Sequence, residues 1–202
     1  VFIFYIFLKE NRLQMCLICR GQACLPPTGG KMNNRRSNRL PRYDYSQDGY
    51  YFVTVCTKDK YEWFGRVKND VMVLNEYGKI VSKYWHDLPN HYRNVKLDES
   101  IIMPNHIHGI IAISDAVGTE QCSVPTKRVS LSQIVKSFKN VTTKRIRSEL
   151  GDIRFLWQRS FYDHVIRGEK ELMEIREYVL NNPKKWDMDI ENVGHRHACA
   201  LR

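Results

Sequence analysis

Met103-Pro104-Asn105-His106-Ile107-His108-Gly109-Ile110-Ile111-Ala112-Ile113 reads as a tight turn at Pro104-Asn105 followed by a strand rich in β-branched residues. Alternate side chains of a strand point to opposite faces. His106 and His108 therefore emerge together on one face and Ile107 on the other. Two imidazoles side by side on a strand are half of a metal site, or simply two polar residues on a solvent face. Which of these holds depends on what the rest of the chain brings to that face.

Working outward, residues 95–103 form a second strand, joined to the first by the Pro-Asn turn as a hairpin. Residues 49–57 (GYYFVTVCT) form a third, with Phe52 and Val53 near its centre. Residues 67–74 are expected to make a short hairpin around Lys68-Asn69-Asp70. Asn75 then caps a helix with Ile80, Val81, Tyr84, Trp85 and Leu88 on one stripe, ended by Pro89. Residues 114–128 are a polar loop without periodicity. Ser130 opens an amphipathic helix that turns Leu131, Ile134, Val135, Phe138, Val141, Ile146 and Leu150 inward and stops at Gly151. Residues 157–166 (WQRSFYDHVI) are expected to be a strand, and residues 169–181 a last helix ended by Pro183. There are no internal repeats.

Apart from the small hairpin, the order is strand, helix, strand, strand, helix, strand. This is the split βαβ order of an α+β, ferredoxin-like antiparallel sheet, followed by one extra helix. Helices covering one face of such a sheet leave the other for a substrate or for that last helix.

The chain has 202 residues, enough for one domain with a real core. Lys and Arg number 32 against 22 Asp and Glu, giving a net charge of +10. A domain this basic is suited to a polyanion, nucleic acid above all. The six cysteines are scattered. Cys16-x-x-Cys19 has no second pair at zinc-ribbon distance, so free thiols in a reducing cytoplasm are expected. The apolar start, residues 1–8, is far short of the roughly 20 residues that span a bilayer, and its flanks make a poor signal peptide. Met32 is the expected natural start, with residues 1–31 a dispensable leader. Residues 1–42 form an N-terminal extension carrying the basic arm Arg35, Arg36, Arg39 and Arg42. Residues 43–187 are the expected domain, and residues 188–202 a tail.

The last helix offers a second chemical element. Tyr178 and Asn182 are four residues apart and so share a helical face. A phenol and an amide oxygen one turn apart suit a metal-bound phosphate. They also suit a core tyrosine near a capping asparagine.

Four blocks in order, MPNHIHGII, SLSQIVKSFK, WQRSFYDHVIR and REYVLNNPKKW, resemble the single-tyrosine HUH transposases. Their nearest likeness is the REP-associated tyrosine transposase branch, and the resemblance runs from about residue 35 to residue 187. It implies a ferredoxin-like fold. The His-hydrophobic-His signature falls on His106-Ile107-His108, the catalytic tyrosine on Tyr178, and the metal-ligating helix residue on Asn182. It further implies a divalent cation, Mg²⁺ or Mn²⁺, held by His106, His108 and Asn182. Tyr178 would attack a phosphate of single-stranded DNA, forming a 5′-phosphotyrosine and releasing a 3′-OH. Storage of the phosphodiester energy in that bond accounts for the lack of a P-loop in the sequence. Hairpin-forming repeat DNA is the expected partner, and the protein a monomer or a homodimer.

Rival placements exist. Tyr162 is a second possible nucleophile, although a strand position beside Phe161 suits packing. His195-Arg196-His197 is a second His-x-His with a charged spacer and no strand pattern, and belongs to the tail. His164 is a candidate second-layer or DNA contact, whereas His86 and His91 face solvent at a helix end. Phosphate contacts are expected from the arginine arm and from Lys136 and Lys139 of the amphipathic helix.

Overall fold

In a computed structural model, residue 40 and residues 42–114 and 129–186 are described. The framework is a four-stranded antiparallel sheet, and its central strand β1 (Gly49–Cys56) pairs on both edges. Its neighbours are β5 (His106–Ile113) and β6 (Tyr162–Ile166), and β4 (Val95–Met103) pairs on the far side of β5. The sheet order β4-β5-β1-β6 is the ferredoxin-like one expected from the order of elements. A separate two-stranded hairpin, β2 (Gly65–Lys68) and β3 (Val71–Leu74), turns at Asn69 and Asp70, both with positive φ. Asn and Asp tolerate that conformation best among non-glycine residues, and it matches the strand twist.

One face of the sheet carries Tyr51, Val53, Val55, Ile107 and Ile111, all fully buried. Against it lie α1 (Glu76–His86) and α3 (Leu131–Leu150). Trp85 of α1 and Phe138 of α3 meet edge to face, with ring centroids 5.3 Å apart. Trp85 also explains Gly109: a Cβ there would stand 2.2 Å from Trp85 Cζ2. The indole thus lies directly on the strand that carries the histidines.

The opposite face carries Phe52, Thr54, His106 and His108. Across it lies α4 (Glu169–Leu180), followed by the short α5 (Asn182–Lys185). Two polar clamps hold α4. Arg176 makes a bidentate pair with Asp98 of β4, at 2.8 and 2.6 Å. Glu171 accepts from His164 of β6 at 2.7 Å and from the Arg167 backbone N–H at 2.9 Å. The register of β4 shifts between Leu97 and Ser100, and this irregularity carries Asp98.

Four local expectations are corrected. Pro89 does not simply end α1. The helix closes at His86, and Pro89 sits in the first turn of α2 (Leu88–His91), where its missing N–H costs nothing. The strand expected over residues 157–166 is only Tyr162–Ile166. Continuing the β1–β6 register would pair Thr57 with Arg159; it pairs with Trp157 instead. Two residues are therefore looped out. Val141 of α3 is exposed and Thr142 is buried, because the Trp157 indole N–H donates to Thr142 Oγ1 at 3.0 Å. The last helix ends at Leu180 rather than Asn181, and Pro183 helps open α5. No helix among the described residues is long and apolar enough to cross a membrane.

Candidate active site

The site is built on the antiparallel register. Thr54 of β1 lies opposite His108, and Cys56 opposite His106. The imidazole Nε2 atoms stand 3.0 Å apart, with ring centroids 4.4 Å apart at 70°. A chain of hydrogen bonds orients both rings. The buried Asn105 donates its amide N–H to the Lys60 carbonyl at 3.2 Å, leaving Oδ1 to accept from His106 Nδ1–H at 2.6 Å. His106 Nε2 therefore presents a lone pair. His108 Nδ1 lies 2.8 Å from Thr54 Oγ1. A hydroxyl can donate or accept, so Thr54 suits either tautomer of His108.

Burial holds both histidines neutral. It drives the His106 pKa down to about 3, with a further push from the Lys60 charge. It drives that of His108 well below the ordinary 6.5, with the neighbouring His106 adding to it. Neutral imidazoles with converging Nε2 atoms are able to ligate a cation. Two nitrogens in adjacent positions on one cation, each at about 2.1 Å, stand about 3 Å apart. The observed spacing meets that requirement. Among the described residues, no group of three or more His, Cys, Asp or Glu side chains converges to hold a metal. A further ligand from the described residues would have to be of another kind, such as an amide.

Tyr178 reaches the histidines from α4. Its ring lies edge-on to His108 at 5.4 Å and to Phe52 at 6.1 Å, while Phe52 stacks on His108 at 5.4 Å. Trp186, buried just beyond α5, lies 6.0 Å from the His106 ring. Asn182 sits between these two contacts in the chain. Asn182 is buried. A break at Asn181 separates it from the helix of Tyr178, so the two do not share one continuous helical face.

The rival tyrosine fares differently. Tyr162 lies beyond Thr54 on β6 and makes no ring contact with either histidine among the described residues. Burial, aided by the Asp163 charge, raises its pKa to about 12. His164 is tied to Glu171 of α4. His195 and His197 lie outside the described residues, as do Arg35, Arg36 and Arg39. Arg42 is exposed. Lys136 is exposed on α3, on the side of the sheet away from the histidines. The Lys139 ammonium is half-buried and bonds the carbonyls of Gln158, Arg159 and Ser160, which pins the looped-out segment. Burial lowers its pKa to about 8.

Asn105, Thr54, Phe52 and Trp186 were not singled out from the sequence as site residues. Asn105 was visible as a turn residue beside His106. The others join the site only through strand register and through the path of the chain after α4.

The family model described as "Transposase IS200 like" matches residues 45–182. An uncharacterized protein of Haemophilus influenzae (strain ATCC 51907 / DSM 11121 / KW20 / Rd) is 39% identical over 171 residues, covering 78% of this chain and 93% of that protein. A second protein of that strain, named "Putative REP-associated tyrosine transposase", is 24% identical over 146 residues, covering 71% of this chain and 75% of its own. A solved structure of a REP-associated tyrosine transposase bound to a REP hairpin aligns with a TM-score of 0.44 at 19% identity, covering 73% of each chain.

Proposed function

Because this chain belongs to the IS200-like transposase family, we propose that it nicks and rejoins single-stranded DNA through Tyr178, on hairpin-forming repeat DNA. The observation that carries this reading is the packing of the Tyr178 ring against His108, 5.4 Å between centroids, beside two neutral, converging imidazoles. The basic balance of the chain, +10, suits a DNA substrate. The name of the second Haemophilus relative supports repeat-associated DNA as the target.

His106 and His108 would hold a divalent cation, Mg²⁺ or Mn²⁺, through their Nε2 atoms, with Asn182 as the amide ligand. When bound, such an ion polarises a phosphate oxygen and favours phenol deprotonation nearby. The chain supplies the rest. The Tyr178 oxygen attacks the scissile phosphorus in line and gives up its proton to solvent. The bond from phosphorus to the 3′-oxygen breaks, and that oxygen takes up a proton and leaves as a 3′-OH. The strand's 5′ end remains on Tyr178 as a phosphotyrosine. A 3′-OH from a second strand reverses the step and restores the phenol. Phosphodiester energy is conserved throughout, so no nucleotide is hydrolysed.

The test is a hairpin oligonucleotide with a labelled single-stranded flank, incubated with the full chain and Mn²⁺ or Mg²⁺. A covalent protein–DNA band is expected, lost in Tyr178→Phe and kept in Tyr162→Phe. The reverse pattern would overturn the assignment of the nucleophile. DNA binding without any adduct would identify a hairpin-binding regulator, and RNA cleavage without adduct a metal-dependent ribonuclease.

A further inference from the structure

Two lysines from different elements lie near the histidine site, and neither belongs to the basic arm or to α3. The first is in the turn Lys58–Lys60 after β1. That turn is locked onto the Pro104-Asn105 turn. Thr57 donates to the Asn105 carbonyl through its backbone N–H at 2.9 Å and its hydroxyl at 3.0 Å. Asn105 donates in return to the Lys60 carbonyl, and Phe64 N–H donates to the Pro104 carbonyl at 3.0 Å. Asp59 and Lys60 have φ of 55° and 54°, a left-handed conformation that costs non-glycine residues energy and persists where surrounding contacts impose it. The cost places Lys60 directly beside the turn that carries His106.

The second lysine is on α5. Lys185 is exposed, and its Nζ lies 5.9 Å from the centre of the Tyr178 ring. The next residue, Trp186, is buried against His106, which fixes the end of α5 at the site. Among the described residues, carboxylates also gather on the flank of α4. Asp98, Glu99, Glu174 and Glu177 line a groove there, together with the bases Lys170 and Arg176, and Arg176 pairs with Asp98. Asp59 and Glu62 adjoin the first lysine in sequence and reduce the net charge of its loop.

We propose that Lys60 and Lys185 are backbone-phosphate contacts on either side of the scissile position. The bound single strand would then run from the turn Lys58–Lys60 across His106 and His108 to α5. This rests on the single-strand nicking reading and adds its substrate path. An ammonium is a compact charge with three donors, suited to grip a flexible strand without reading its bases. The carboxylates of the groove on α4 outnumber its two bases, which disfavours the same strand there.

The experiment measures binding of a fluorescent hairpin oligonucleotide with a single-stranded flank to the full chain in EDTA, by anisotropy over a KCl series. Lys60→Gln and Lys185→Gln should each make the plot of log affinity against log salt shallower by ~0.7, and the double variant by about twice that. Lys60→Arg and Lys185→Arg should restore the slope, which a merely structural role would not predict. Lys96→Gln, at the far end of β4, should leave it unchanged. Unaltered slopes in both Gln variants, or an equal change in Lys96→Gln, would overturn the proposal. The adduct assay separates this from the chemistry: adduct with unaltered slopes removes the clamp alone, and altered slopes without adduct remove the chemistry alone.

Discussion

Thr54 and Asn105 show how much of this site is held by side chains other than the histidines. Each fixes the Nδ1 side of one histidine, so that both Nε2 atoms converge. Removing such a partner typically costs 10- to 100-fold in metal affinity. Thr54→Val keeps the shape of the side chain and deletes the hydroxyl. Its Mn²⁺ affinity, read by electron paramagnetic resonance, should fall by about that factor, and an unchanged affinity would refute the role. The same burial makes a prediction about pH. Both histidines have pKa values below 6.5 in the folded protein, so the unfolded chain binds more protons once the pH drops below 6.5. Stability is therefore fully present above pH 6.5 and lost as pH falls toward the folded values, by up to about 1.4 kcal/mol per pH unit for each histidine. Asp98 and Asp152, whose pKa values are lowered by Arg176 and Arg154, contribute stability that is lost only below their ordinary 3.8. Urea denaturation between pH 6.5 and 5 in EDTA should show the histidine slope, and His106→Gln should flatten it. The pairing of the two histidines was legible in the sequence because strand alternation alone puts His106 and His108 on one face. Thr54 was not, because its place depends on which residue of β1 falls opposite His108.

At the scale of elements, the position of α4 is the decisive feature. The sequence shows an extra amphipathic helix carrying Tyr178. It does not show what lays that helix over the histidines, since the clamps join residues far apart in the chain. Arg176 reaches Asp98 across 78 positions, and Asp98 is available because β4 is irregular there. Arg176→Gln should loosen the helix and slow adduct formation, by about tenfold to a hundredfold if the phenol is displaced on the order of 1 Å. Binding of DNA in EDTA should change far less. Adduct formation at the unaltered rate would mean that the clamp does not position the nucleophile. The shortened β6 has a similar lesson. Residues 157–166 alternate well enough to read as one strand, but the half-buried Lys139 holds the looped-out carbonyls away from the sheet. Such a tertiary contact leaves no periodic trace. Asn182 was reached by counting along a helix that in fact breaks at Asn181, so it does not continue the face of Tyr178; in sequence it lies between Tyr178 and Trp186, which meet His108 and His106.

Over the whole molecule, the antiparallel sheet separates stability from chemistry. One face, covered by α1 and α3, holds the apolar core, and Gly109 admits Trp85 against it. The other holds the histidines, and α4 brings the tyrosine. This division was legible from the order of elements, because a split βαβ chain places both crossover helices on one face and frees the other. The sequence placed a basic arm and helix lysines but not the charges around the histidines. Lysines beside the site and carboxylates on the flank of α4 become distinct once the chain is folded. The proposed nucleophile is tested most directly by mass spectrometry of the trapped protein–DNA adduct after trypsin digestion. The nucleotide-modified peptide should be the one spanning residues 177–184, with the phosphate on Tyr178. Modification of the peptide spanning residues 160–167, which contains Tyr162, or of neither, would contradict it.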